Sequence, residues 1–450
     1  MSLENWSIDE VETQLDSDRQ WSGGTITVAF PAFSSGMVGS DSEGELAGFR
    51  ATTAAQQATM RLALQTWDDL IAPDFQFVNG NSNLEFGFSN TMSGFAHAYF
   101  PTVGSIWFSG AYTSGENNLA SPGVGDYGFM TYVHEIGHAL GLNHMGNYNG
   151  NGSWNPSSFQ DSTVLSVMSY FGPSGPYRSS DNAQADWTNA SGITRSAQTP
   201  MLNDVYVIQR MYGVSTTTRS GDTVYGFGTN ITGTVSAIYD FTRNADPILT
   251  IFDSGGNDTL DLSGWRTNSD IRLEAGFYSS GNAMTNNIAI AYNTTIENAV
   301  GGAGSDRITG NAVANRLDGG AGDDRLIGGD GNDTLGGGAG NDTCEGGAGT
   351  DTGVIAANFA ACTVSYDAGR GEFRISASAS GTDLFYGVER FQFSDQLLTA
   401  DQLLSGDSSA PTLESSNPVD DATGVSTTVT LRLTFSETVE AGSGEIRILR

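Results

Sequence analysis

The sequence predicts an α+β domain, then an all-β parallel β-roll, then part of a β-sandwich. Three observations carry this reading. Residues 1 to about 215 mix helix-period and strand-period apolar patterns. Residues 301–354 divide into six glycine- and aspartate-rich nonapeptides. Residues 412–450 alternate polar and apolar side chains between turn signals. At 450 residues the chain also exceeds the ~250–300 that one core holds, so several domains are required.

Residues 1–20 form an N-terminal segment of the length of a short propeptide. Within it Ser7-Ile8-Asp9-Glu10 reads as a capping box opening a first helix. Residues 21–215 form the first domain. A helix is expected over about 46–70, a stretch rich in Ala, Gln, Met and Leu. Short strands are expected at 84–88, 95–100 and 105–108. Leu202, Val205, Ile208 and Met211 recur at three-residue steps, which predicts a closing helix over 201–212 stopped by Gly213.

Residues 216–354 turn β-rich and then repetitive. The nonapeptides are GGAGSDRIT, GNAVANRLD, GGAGDDRLI, GGDGNDTLG, GGAGNDTCE and GGAGTDTGV, and DSGGNDTLDLSG at 253–264 holds a related unit. Residues 355–404 lose the repeat but keep strand-like alternation, a β-rich extension of the roll. A polar linker, 405–411, leads into 412–450, which is too short for a complete sandwich. The chain is therefore expected to stop inside a domain.

Acids outnumber bases by 51 to 19, a net charge of −32, and every base is arginine. A surface this acidic repels nucleic acid and anionic lipid, so neither is expected as a partner. No apolar run approaches the ~20 residues of a membrane span. The N-terminal MSLENWSIDEVETQ lacks the basic leader and apolar core of a signal peptide. Two cysteines, Cys344 and Cys362, exclude a disulfide-stapled scaffold. They lie eighteen apart and would stack if the roll continued, as a disulfide or as two unrelated small buried residues; the second is the reading taken here.

The sharpest chemical signal is HEIGHALGLNH at 134–144. His134 and His138, four apart on a helix, project from one face and can share one metal ion. Gly141 can take a positive φ, end the helix and turn the chain so that His144 adds a third nitrogen. Three neutral imidazoles leave zinc's fourth position open for water, the arrangement of a catalytic site. Glu135 lies beside the metal, placed to take a proton from that water as general base. A buried helix whose histidines merely pack is the bland alternative, but three of the chain's four histidines fall in this one pattern.

SVMSY at 166–170 follows. Met168 alone would read as core filler; after a three-histidine helix it resembles the Met-turn of metzincin peptidases. Through YGFMTYVHEIGHALGL, VMSY, TTRSGDTVYGF (217–227), DSGGNDTLDLSG, TIENAVGG (295–302) and the nonapeptides, residues from about Trp21 to Thr352 resemble the serralysin family of secreted RTX metalloendopeptidases. The resemblance implies a metzincin-like zinc protease domain in which His134, His138 and His144 bind one zinc ion and Glu135 is the general base. Tyr170 would be the tyrosine that leaves the metal and stabilises the oxyanion when substrate binds. The segment 95–100 would be the edge strand on which an extended protein or peptide substrate pairs. The resemblance further implies a monomer, export by type I secretion to the extracellular space and a proteinaceous inhibitor. The family's usual Pro-Gly after the third histidine is replaced by Met145-Gly146. His97 fits no pattern and is read as a structural or rim residue.

The nonapeptide G-G-x-G-x-D-x-U-x is a calcium-binding β-roll repeat: six residues turn and expose carbonyls and one Asp, and three form a strand with U inward. Here U is Ile308, Leu317, Leu326, Leu335 and Cys344. Two units complete a turn, so loops stack eighteen residues apart, and several structural calcium ions are expected between them. One set of ligands would be Gly302, Gly304 and Asp306 with Gly319, Ala321 and Asp324. A second would be Gly320 and Gly322 with Gly337, Ala339 and Asp342. A third would be Gly329, Gly331 and Asp333 with Gly346, Ala348 and Asp351. The unit holding Asn315 lacks the glycines, which predicts an absent or weak site between it and Asp333. The family resemblance adds Arg219, Gly221 and Thr223 with Asp253, Gly255, Gly256 and Asp258, then Thr295 and Glu297. The tail resembles bacterial Ig-like repeats.

Two other readings stand beside the secreted zinc endopeptidase. One is an RTX adhesin or binding protein with a vestigial zinc domain, against which intact Glu135 and Tyr170 weigh. The other is a matrixin- or astacin-type metzincin, against which the downstream repeats weigh.

Overall fold

The computed structural model describes residues 4–37, 44–148, 155–174, 184–378 and 380–405, with the strands Leu413–Asn417 and Arg432–Phe435. It resolves into two compact units, Met1–Leu397 and Leu398–Arg450.

In the first unit, Ser7 and Glu10 form the expected capping box, and α1 (Ile8–Leu15) buries Val11 and Leu15. A mostly parallel sheet follows, built from β1 (Thr25–Ala29), β2 (Phe49–Arg50), β3 (Asp74–Phe77), β4 (Leu84–Ser89), β5 (Ala96–Ala98) and β6 (Ser105–Ser109). Its order is β3-β1-β4-β6-β5, with β2 also on β4. The strand at one edge, β5, runs antiparallel to β6. The expected helix over 46–70 is shorter than its composition suggested. Thr53 caps it with Gln56 in a second capping box, so α2 spans Ala54–Asp68. Leu46–Gly48 is instead a single 3-10 turn leading into β2.

α3 (Tyr127–Leu140) is buried along nearly its whole length and packs against α2, whose Trp67 indole donates to Val133 O at 3.0 Å. Trp67, Phe86, Phe108 and Tyr132 fill the core between sheet and helices, while Trp107 packs with Met37, Met92 and Phe49 in a separate cluster. α4 (Leu202–Tyr212) ends at Gly213 as expected and packs on α1.

The roll stacks parallel strands in two sheets. One contains Asp270–Arg272, Arg307–Thr309, Arg325–Asp330, Thr343–Ala348 and Gly381–Tyr386. The other contains Val224–Gly226, Thr259–Asp261, Asn298–Val300, Arg316–Ala321, Thr334–Ala339, Thr352–Val354 and Arg390–Gln392. In the repeat region Ile308 pairs with Leu326, Leu326 with Cys344 and Leu317 with Leu335, each step being eighteen residues. All five U residues are buried. Beyond Gly353 the roll gains a further layer: Phe385 lies beside Cys344 and Phe391 beside Gly353. A hairpin, Cys362–Asp367 with Glu372–Ala377, is inserted before that layer. Both cysteines are free; Cys344 is buried, but Cys362 is only half-buried on the hairpin, so the two do not stack.

In the second unit, Ala400–Ser405 is helical, and Leu413–Asn417 pairs antiparallel with Arg432–Phe435. The rest of 412–450 lies outside the described residues.

Candidate active site

Two glycines set the geometry around α3. Gly141 ends the helix at φ 111°, and a Cβ there would fall 1.9 Å from Arg19 O, so only glycine can make this turn. Gly137 faces inward; a Cβ would meet Met168 Sδ at 2.7 Å and Trp67 at 3.1 Å. Its bare backbone therefore lets the methionine turn come up directly beneath the helix.

His134, His138 and His144 converge. Their potential ligand atoms all lie within 4.8 Å of one another, and the three side chains are 7%, 8% and 9% exposed. His134 Nδ1 lies 2.7 Å from Val167 O, and His138 Nδ1 lies 2.6 Å from Leu142 O. A carbonyl only accepts, so these nitrogens carry the protons and the Nε2 lone pairs point to a common centre. Burial, chiefly, pushes the His134 pKa down to about 3 and that of His138 lower than usual, which keeps both rings neutral. His138 Nε2 and His144 Nε2 are 3.1 Å apart. Two zinc–nitrogen bonds of about 2.0–2.1 Å in a tetrahedron need about 3.3 Å. The donor set therefore fits zinc in tautomer, charge and spacing.

Glu135 follows the first histidine and is 5% exposed. Its Oε2 has no hydrogen-bond partner among the described residues, and burial raises its pKa to about 8. Such an orphan oxygen is costly unless something polar is placed against it. Tyr170 lies over the triad, its ring 4.4 Å from that of His144 and 5.7 Å from that of His134. Tyr148 stacks on it at 5.0 Å, accepts from the Tyr170 amide and donates to buried Asp161 at 2.9 Å. At the departure from the family pattern, Met145 is buried, and its N–H donates to Met168 O at 3.1 Å.

Three supports were not visible in the motif. Asp204, in the first turn of α4, is fully buried and accepts from Ser166 Oγ at 2.6 Å, Val167 N at 2.7 Å and Met201 N at 2.9 Å. It pins the turn whose Val167 carbonyl orients His134. Gln14 on α1 donates to His144 O at 2.9 Å, and Asn143 N donates to Leu15 O at 2.6 Å. The signal for Asp204 was an acid in a helix's first turn, which apolar periodicity does not register. His97, on β5, places Nε2 2.8 Å from buried Glu45 Oε1, a rim contact outside the triad.

In the roll, carboxylates form ladders. Asp306 N donates to Asp324 Oδ1 at 2.7 Å, and Asp324 N to Asp342 Oδ1 at 2.9 Å. On the other side Asn315 N donates to Asp333 Oδ1, and Asp333 N to Asp351 Oδ1, both at 2.8 Å. The Oδ2 atoms of Asp324, Asp333, Asp342 and Asp351 are buried without hydrogen-bond partners, as is that of Asp258. Burial, and then repulsion from stacked neighbours, raises Asp324 to about 7 and Asp333 to about 6. Ordered rows of orphan carboxylate oxygens beside glycine carbonyls fit a hard divalent cation. Asn315 differs, its amide being bonded to Glu297 O and Asn311 Oδ1. In the earlier cluster, Thr223 N donates to Asp258 Oδ1, Asp258 N to Glu297 Oε2 and Gly255 N to Asp253 Oδ1.

Fold and site define the class: a metzincin-type domain, three histidines over a methionine turn, continued by a parallel β-roll. Comparison with known proteins agrees. The matrixin family model matches residues 48–150, the peptidase M10 serralysin C-terminal model matches 214–403, and a bacterial Ig-like domain model matches 407–449. The chain belongs to the serralysin family. Serralysin A of Dickeya chrysanthemi is 36% identical over 324 residues, covering 67% of this chain and 63% of its own length. Metallopeptidase AprA of Pseudomonas marginalis is 34% identical over 323 residues, covering 68% of this chain and 65% of its own. Serralysin of Photorhabdus laumondii is 39% identical over 277 residues, covering 58% and 54%. The aligned part thus spans less than two-thirds of each relative.

Proposed function

We propose that this chain is a secreted zinc-dependent endopeptidase that cleaves peptide bonds in proteins, with calcium holding its β-roll together. The observation that carries the reading is the convergence of three imidazoles, two of them held neutral by burial, beside a buried carboxylate with one oxygen unpaired. Zinc held by His134, His138 and His144 would supply a Lewis acid that acidifies water and polarises the scissile carbonyl. Glu135 takes the proton from the attacking water and returns it to the leaving amine. Tyr170 moves off the histidines and donates its hydroxyl hydrogen to the carbonyl oxygen as that oxygen gains charge. Strand β5, outermost in its sheet, pairs with the backbone of an extended substrate. The Met168 turn supports the histidines from below.

The calcium reading is supported by the orphan Asp oxygens of the roll, and the satisfied Asn315 amide supports a missing or weak site there. The similarity to serralysins supports secretion, and no described helix is long and apolar enough to cross a membrane. The test is cleavage of denatured casein by the zinc-loaded chain, together with metal analysis. Activity lost to a zinc chelator, restored by zinc and abolished by Glu135→Ala is expected. A zinc-loaded wild type that cleaves no unfolded protein would refute the proposal.

A further inference from the structure

The peptidase reading leaves open which side chains the cleft selects. A group of aromatic rings on the rim bears on this. Phe95, just before β5, packs edge-on against Tyr112, with centroids 4.6 Å apart and planes at 84°. It also packs against Tyr127, the first residue of α3, at 5.8 Å. Tyr112 and Tyr127 are 39% and 42% exposed, an unusual display for large rings so near a polar centre.

The rim and the helix run in step. At its far end the same segment places Phe100 5.8 Å from the ring of His138. Phe95 to Phe100 is five residues, about 17 Å of extended chain. Tyr127 to His138 is eleven residues, about 17 Å of helix. A peptide paired on β5 is therefore carried along α3, past the histidines at one end and the aromatic group at the other. Tyr127 precedes His134 by seven residues, about 10 Å of helix. That distance corresponds to about three residues of extended peptide.

We infer that Phe95, Tyr112 and Tyr127 form a subsite for an aromatic substrate side chain about three residues from the scissile bond. This rests on the peptidase reading above. The exposed parts of Tyr112 and Tyr127 can make offset or edge contacts with a further ring, the geometry aromatic groups prefer. An acidic side chain is disfavoured there, given buried Glu135 nearby and a net charge of −32. The three residues determine specificity; none of them is assigned a part in bond cleavage.

The test is to digest a denatured proteome with the full chain in zinc and calcium and to map every cut by mass spectrometry. Phe, Tyr and Trp should be enriched at a single position two to four residues from the cut. In matched peptides an aromatic residue there should raise kcat/KM by about tenfold over Ala. Tyr112→Ala, at an exposed position, should bring that enrichment down to background, whereas Tyr112→Phe, which keeps the ring, should retain it. A flat profile at those positions while cleavage proceeds overturns the inference. So does aromatic enrichment only at the residues flanking the cut, or enrichment that survives Tyr112→Ala. If the wild type cuts nothing, the peptidase reading falls and takes this inference with it, a result distinct from cutting without preference.

Discussion

Asp204→Ala separates a buried support of the metal site from ordinary core structure. Alanine removes the acceptor for Ser166 Oγ, Val167 N and Met201 N at 0% exposure, where no water can take its place. Each abandoned donor costs about 1–3 kcal/mol, so with partial relaxation the loss is roughly 3–6 kcal/mol. That is a large share of the about 5–15 kcal/mol that holds a typical domain folded. For a domain of about 200 residues it corresponds to a fall in melting temperature of roughly 10–20 °C. A second effect is specific to the site. The freed turn carries Val167 O, which fixes the protonated nitrogen of His134 at 2.7 Å. Losing such an outer partner weakens metal binding by about 10–100-fold. Calorimetry and zinc competition against a chromophoric chelator, on one preparation, read both quantities. Asp204→Asn, which keeps one acceptor oxygen, should fall between. A variant that melts within about 3 °C of wild type and binds zinc within about twofold would refute the argument.

Other outcomes follow from particular contacts. Gly137→Ala forces a methyl into Met168 Sδ and Trp67 and should cost about 1–3 kcal/mol in urea unfolding; an unchanged midpoint would show that the turn yields freely. Asp324 lies between Asp306 and Asp342 in its ladder, so Asp324→Asn should weaken calcium binding by calorimetric titration more than Asp306→Asn; equal effects would deny that stacked loops share it. Burial, and then repulsion from Asp69 and Asp74, raises Asp68 to about 6. A raised acid pKa stabilises the fold below the unfolded value near 4, and that contribution is lost as pH rises through about 6. Asp68→Asn, whose oxygen still accepts from Phe75 N, should match wild type at pH 4 and exceed it by about 1 kcal/mol at pH 8; a pH-independent difference would refute this. Gln14→Ala removes a hydrogen bond to His144 O worth about 1 kcal/mol and should weaken zinc about fivefold; a lower melting temperature with unchanged affinity would make α1 a support of the domain alone.

Legibility in the sequence followed the range of the interactions. Elements fixed by neighbours a few residues apart could be read directly: the Ser7 capping box, the helix ending at Gly213, and the nonapeptides whose U residues pair at eighteen-residue steps. The three histidines were legible because helical spacing and one glycine bring them together, and a metal demands that spacing of any sequence. β1 and β3 went unread; strand identity there depends on their pairing with each other, Thr25 beside Asp74, far apart along the chain. The start of α2 was misplaced because composition outweighed the Thr53–Gln56 cap. The last layer of the roll was hidden by an inserted hairpin that stretches the spacing from Cys344 to Phe385. Asp204 and Gln14 escaped for one reason: each acts through a backbone or hydroxyl group distant in sequence, and such partners leave no periodic trace.

The histidine site and the proposed calcium-binding roll are prepared in opposite ways. Around the histidines the orienting contacts come from the protein itself: Val167 O and Leu142 O fix the tautomers of His134 and His138, Asp204 fixes the turn and α1 braces the chain after Gly141. Burial keeps the His134 and His138 rings neutral, so little electrostatic opposes their assembly before an ion arrives. In the roll the groups that would hold calcium are carboxylates stacked on carboxylates, and each buried Oδ2 in the row raises the cost of the next. Neutral ligands can wait folded; crowded anions are held together by the cation they bind. On the proposed reading, zinc adds function to a domain that already has its shape, whereas calcium decides whether the roll has a shape at all. The −32 charge of the chain then marks a fold whose second half is completed only where divalent cations are plentiful.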